Sequence, residues 1–108
     1  MKTIEYLFYL SALQKDRLRV WASREKNEIV EFVVQYEAEI HGSWHPVVRY
    51  DTSHGFAHRD LMYPDGSVDK QPLLFESYNL ALTFATQELK QNWQRYRHNF
   101  EEETNDSK

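Results

Sequence analysis

The chain has 108 residues, thirteen of them basic and seventeen acidic, for a formal charge of -4 and a pI near 5.7. The absence of cysteine excludes thiol catalysis, cysteine-ligated metal and disulfides, and makes a reducing cytoplasm the expected compartment. The acidic balance excludes a broad electrostatic grip on nucleic acid, so DNA is not an expected partner and RNA enters only through a local patch. A chain of this length buries a modest core as one domain, and its 15% aromatic content, with three Trp and seven Tyr, fits a core plus a dimer interface.

Met1 to Leu13 contains the apolar run Tyr6-Leu7-Phe8-Tyr9-Leu10. It is too short to span a bilayer. With only Lys2 before it, it lacks the basic start, long apolar stretch and cleavage site of a signal peptide, so no membrane partner is expected. Ile4, Leu7, Phe8 and Ala12 make a helical stripe, while Ile4, Tyr6, Phe8 and Leu10 make a strand alternation; the expectation is a short helix, buried or covered by a partner.

Leu18 to Ser23 reads as a first strand and Glu25-Lys26-Asn27 as its turn. From Ile29 to Ile40 the alternation is long. Val30, Phe32, Val34, Tyr36, Ala38 and Ile40 face one way and Glu31, Gln35, Glu37 and Glu39 the other, as in a half-buried antiparallel strand whose carboxylates form a solvated surface. His41-Gly42 turns the chain, and Trp44 to Asp51 returns with Trp44, Pro46, Val48 and Tyr50 on one face. Pro46 cannot donate to a ladder, which predicts an edge or a bulge there. Phe56 to Tyr63 makes a fourth strand, closed by Pro64-Asp65-Gly66.

Ser67 to Phe75 reads as a connecting loop, and a helix capped by Ser77 or Asn79 follows. Leu82, Ala85, Leu89, Trp93, Tyr96 and Phe100 form its apolar stripe, opposite Gln87, Lys90, Gln91 and Arg97, over five or six turns. The stripe makes Trp93 and Tyr96 core residues. The basic residues Arg95, Arg97 and His98 complement the helix dipole. The last eight residues contain nothing apolar and are expected to form a disordered acidic tail, 101–108. The fold expected is therefore α+β: one domain, 1–100, with an antiparallel meander of about four strands packed against one long C-terminal helix.

Chemistry concentrates in Val47 to Asp60, where a hairpin carries Arg49, Asp51, His54, His58 and Asp60. Alternate residues share a face and cross-strand neighbours lie close, so these side chains can crowd one end of the hairpin. The set contains a histidine to move a proton, a carboxylate to orient it and an arginine to hold an anion, as metal-independent cleavage of an RNA phosphodiester requires. The competing structural reading pairs Arg49 with Asp60 or Asp51 and spends the histidines on turn backbone groups. Asp51, His54, His58 and Asp60, with His45 nearby, also carry the donors of a zinc or manganese site. A hairpin does not bring two histidines four apart onto one helical face, so the turn explanation is preferred and no metal or cofactor is expected.

The segment Trp-His-Pro-Val-Val-Arg-Tyr-Asp-Thr-Ser-His-Gly-Phe-Ala-His-Arg-Asp, with the later Pro-Asp-Gly, Asn79 to Ala85 and Asn92-Trp93, resembles a family of small bacterial and archaeal proteins that carries no established activity. More loosely, Arg-Tyr-Asp followed by two histidines resembles the toxin half of TumE-type toxin-antitoxin pairs, which implies candidate roles for Asp51, His54 and His58. The function expected is a binding or interaction module acting through a homodimer or a small protein partner. The alternative is a toxin-like, metal-independent ribonuclease.

Overall fold

Alternating sequence carries nearly half of the chain into one sheet. Six strands, β1 (Lys2–Tyr9), β2 (Asp16–Glu25), β3 (Glu28–Ile40), β4 (Ser43–Asp51), β5 (His58–Met62) and β6 (Val68–Pro72), each pair antiparallel with their sequence neighbours. One helix, α1 (Tyr78–Asp106), lies across one face and packs chiefly on β3 and β4. The computed structural model describes residues 1–106. No helix among the described residues is long and apolar enough to cross a membrane.

The sheet exceeds the expected four strands at both edges. β1 is a strand where a short helix was expected, because its alternation meets a partner: Ile4, Tyr6 and Phe8 stand opposite Ala22, Val20 and Leu18 of β2. Local periodicity allowed either form, and the sheet supplies what chooses. β6 occupies the expected loop, with Asp60 opposite Lys70 and Leu61 opposite Asp69. Its polar sequence hides a strand because an edge need not bury an apolar face.

The core forms where Leu18, Val20 and Ala22 of β2, Phe32, Val34, Tyr36 and Ala38 of β3, and Val48 and Tyr50 of β4 meet Ala81, Ala85, Leu89, Tyr96 and Phe100 of α1. The two alanines let the helix approach the sheet, and Trp93 packs edge-on to Tyr36 at 6.3 Å, in the core role its spacing predicts. Pro46 sits at the expected bulge. Val48 opposes Tyr36 while Pro46 opposes Glu37, leaving Val47 as the extra residue. The bulge resets the alternation, so the His45 ring packs against Phe100 of α1 and Trp44 turns away to stack under the Arg17 guanidinium, 3.7 Å from its ring.

His41 and Gly42 both take left-handed backbone, φ 53 and 82, as a two-residue hairpin loop requires. Ser77 caps the helix, its Oγ accepting from the Leu80 N–H at 3.2 Å. Asn79 instead pins the β2–β3 turn: its side chain donates to the Asn27 carbonyl and accepts from the Ile29 N–H. The helix has 29 residues, about eight turns. It runs past the apolar stripe into the residues expected as a disordered tail, where Arg97 pairs with Glu101 at 3.1 Å and Thr104 donates to the Phe100 carbonyl. Ser107 and Lys108, the end of that expected tail, lie outside the described residues.

Candidate functional site

In the β4–β5 hairpin Arg49 stands opposite Asp60 and Asp51 opposite His58. Tyr50 and Arg59 between them point to the helix, which places Arg49, Asp51, His58 and Asp60 together on the helix-free face. The connection is a short 3-10 turn, Ser53–Gly55, in which His54 and Gly55 take left-handed backbone, φ 70 and 83. Asp51 Oδ1 accepts from the Ser53 N–H and Oγ–H at 3.0 and 2.9 Å, so its short side chain writes the turn. Thr52 Oγ1 accepts from the Phe32 N–H at 3.0 Å and ties the turn to β3.

Asp51, His58 and Asp60 are buried, and one ligand-type atom of each lies within 4.8 Å of the others. The His58 side chain has no solvent exposure. The rings of His54 and Phe56 lie 6.1 and 5.5 Å from it. Its Nδ1 is 3.3 Å from the Phe56 carbonyl, and its Nε2 is 2.8 Å from Asp51 Oδ1 and 3.8 Å from Asp60 Oδ1. The shorter Nε2 distance is that of an ion pair, yet the ring N–H direction misses the oxygen and Nε2 has no hydrogen bond. Direction decides here, because a hydrogen bond weakens steeply off its line.

Two cations stand at the margin. Arg49 Nε is 4.0 Å from Asp51 Oδ2 and donates instead to Gln35 Oε1 at 3.0 Å, while Lys70 Nζ is 3.1 Å from Asp60 Oδ1. Of the residues singled out from the sequence, Asp51, His58 and Asp60 converge and Arg49 borders them. His54 is exposed beside them, and His45 lies on the opposite face of the sheet. Lys70 escaped the sequence reading because its segment carried no strand signal.

Three further polar centres surround the sheet. On the helix-free face Glu37, expected to be solvated, is buried under Arg17 and Arg19, whose Nε atoms lie 2.6 and 3.2 Å from it. Burial pushes its carboxyl up, and hydrogen bonds from Arg19, Arg17 and Gln35 together outweigh that and hold it below the usual carboxylate range. On the helix side Glu88 accepts from the hydroxyls of Tyr50 and Tyr96 at 2.6 and 2.8 Å, with Arg59 Nη1 at 3.6 Å. Asp16 accepts from Tyr36 and from Arg97 Nη1, the latter at 2.8 Å. Arg97 thus belongs to the core contact and not to the solvent face expected of it.

Burial, reinforced by these carboxylates, raises the Tyr36 and Tyr50 hydroxyls far above their ordinary value and pushes Tyr96 up to about 12. All three stay protonated and donate. A groove of 490 Å³ borders Arg59, Tyr96, Arg95 and Glu102, between β5 and the C-terminal half of α1. It opens on the helix side, away from the Asp51, His58 and Asp60 cluster.

Residues 1–106 match the family model described as a domain of unknown function, DUF7718, and the chain belongs to that family. No curated protein and no solved structure matches it.

Proposed function

We propose that this member of the DUF7718 family is an interaction module that works as a homodimer, joined through its β1 edges. The observation that carries this reading is the contrast between the two edges of the sheet. β6 is short and guarded, with Asp69, Lys70 and Pro72 in five residues. β1 is eight residues long, contains no proline and pairs with β2 without a register shift.

Its second half exposes large apolar side chains, Tyr6, Leu7 and Tyr9 at 44%, 37% and 44%, while Lys2, Thr3 and Glu5 occupy the first half. A strand with free N–H and C=O groups and apolar side chains on both faces pairs with another strand unless it is blocked. Antiparallel pairing of β1 with its own copy about a two-fold axis satisfies both strands at once, because the same patch serves both sides. The high aromatic content, seven Tyr among it, supports the same reading. The cysteine-free sequence supports a reducing cytoplasm as its place of action.

Toxin-like, metal-independent RNA cleavage draws less support. Its proton-moving histidine must reach substrate, and His58 is enclosed beneath His54 and Phe56.

Size-exclusion chromatography with light scattering tests the dimer, using the wild type and a Leu7→Lys/Tyr9→Lys variant. Both positions are exposed, so the variant keeps its fold, checked by circular dichroism. The expected result is a mass of two chains for the wild type and one for the variant. A wild-type monomer at every concentration overturns the dimer, and a variant that still dimerises overturns the β1 edge.

A further inference from the structure

We propose that Asp51, His58 and Asp60 form a binding site for a divalent transition-metal ion of the manganese or zinc kind. The inference is independent of the dimer. It starts from one nitrogen and two carboxylates whose ligand-type atoms lie within 4.8 Å of one another. The second observation is His58 Nε2, a fully buried nitrogen with no hydrogen bond that lies 2.8 and 3.8 Å from two carboxylate oxygens.

With Nδ1 facing the Phe56 carbonyl, the ring proton belongs on Nδ1, which leaves Nε2 unprotonated beside the carboxylate oxygens. An unprotonated nitrogen 2.8 Å from a carboxylate oxygen holds no attraction for it. A second proton on Nε2 leaves the contact to Asp51 off line. A cation among the three atoms satisfies all of them.

The surroundings match what metal ligands require. A ligating histidine donates its other N–H to a carbonyl and a ligating carboxylate is itself hydrogen-bonded; here the Phe56 carbonyl and the Ser53 N–H and Oγ–H take those parts. Asp51 and His58 are fixed directly opposite each other by the strand register, and Asp60 is two residues on along the same face. Imidazole favours a first-row transition ion over magnesium or calcium, and the two carboxylates suit manganese or zinc. Lys70 holds the place of a cation: its ammonium lies 3.1 Å from Asp60, on a side chain 44% exposed that swings into water when an ion enters.

The test uses manganese(II) as the probe, added to chelator-treated full chain, with free ion followed by electron paramagnetic resonance and the fold by thermal melting. One ion per chain and a raised melting temperature are expected, because an ion that binds the folded hairpin alone stabilises it. Asp60→Asn and His58→Gln lower the affinity by about tenfold or more. Lys70→Gln, a change at an exposed side chain that leaves folding intact, raises the affinity. His54→Ala leaves it unchanged, which separates the site from exposed imidazoles. No uptake by the wild type, uptake indifferent to Asp60→Asn and Lys70→Gln, or uptake lost with His54→Ala overturns the proposal.

Discussion

Replacing Arg97 by methionine tests the contact that fastens the helix to the sheet. Arg97 reaches from α1 to Asp16 Oδ1 at 2.8 Å, to the Glu39 carbonyl at 2.8 Å and to the Lys15 carbonyl at 3.2 Å. Methionine keeps most of the apolar stem and removes the charge. What remains is the Asp16 carboxylate, 5% exposed, facing the Tyr36 hydroxyl as its one remaining side-chain donor among the described residues. Breaking a buried pair from one side costs about 3–5 kcal/mol. The Arg97 side chain is 21% exposed, so water reaches part of the gap and the lower end, about 3 kcal/mol, is expected.

Against a total of about 5–15 kcal/mol that is a large fraction, and it lowers the melting temperature by roughly 10–20 °C. Urea unfolding followed by circular dichroism, on the wild type, Arg97→Met, Asp16→Asn and the double variant, measures it. The two single losses add to more than the double loss, with a coupling of about 1–3 kcal/mol. A loss below about 1 kcal/mol for Arg97→Met puts the pair in the class of surface contacts and refutes the reasoning.

Acid unfolding reads Glu37 directly. Its folded carboxyl lies below its unfolded value of about 4.3, so its contribution is complete above that value and is lost as pH falls through the folded one. Glu37→Gln flattens the acid limb of the stability curve in that window; identical acid limbs for both proteins contradict the assignment. Ser77→Ala removes the acceptor for the Leu80 N–H and costs about 1 kcal/mol in denaturant unfolding. A neutral result there shifts the capping role elsewhere.

What the sequence disclosed follows from where information is local. The stripe of α1 and the alternation of β3 are each written within one element, and Pro46 announces its bulge through its own missing N–H. β1 and β6 were not legible, because an edge strand is defined by its neighbour: Tyr6 to Leu10 suits a helix equally, and Val68 to Pro72 has no buried face of its own. Glu37 and Arg97 were misplaced for one reason. Both sit where the period says solvent, and partners distant in sequence, Arg17 and Arg19 for one and Asp16 for the other, bury them. The hairpin cluster was partly legible, since residues 49, 51, 58 and 60 need only the register of two adjacent strands to share a face. That His58 would be enclosed and His54 left outside depends on a turn with two left-handed residues, which spacing does not specify.

The four acidic centres separate into two kinds when each is matched with what faces it. Asp16 has an arginine and a tyrosine hydroxyl in direct hydrogen bonds. Glu88 has two hydroxyls and an amide, with Arg59 beside them. Glu37 has two arginines and an amide. In each, the donors are directed at the carboxylate oxygens, and the product is a closed structural contact.

The Asp51 and Asp60 pair differs. The nitrogen buried between them is off line, and the neighbouring cations, Arg49 and Lys70, are 42% and 44% exposed and approach from the rim. Asp51 does accept from Ser53 and Asp60 from Lys70, but the buried nitrogen between them is not directed at either, unlike the buried donors of the other three centres. Leaving this one with a buried nitrogen and converging oxygens costs stability in the free protein. That cost is recovered when a cation occupies the space, which makes the hairpin, and not the larger groove beside α1, the place where binding chemistry is concentrated.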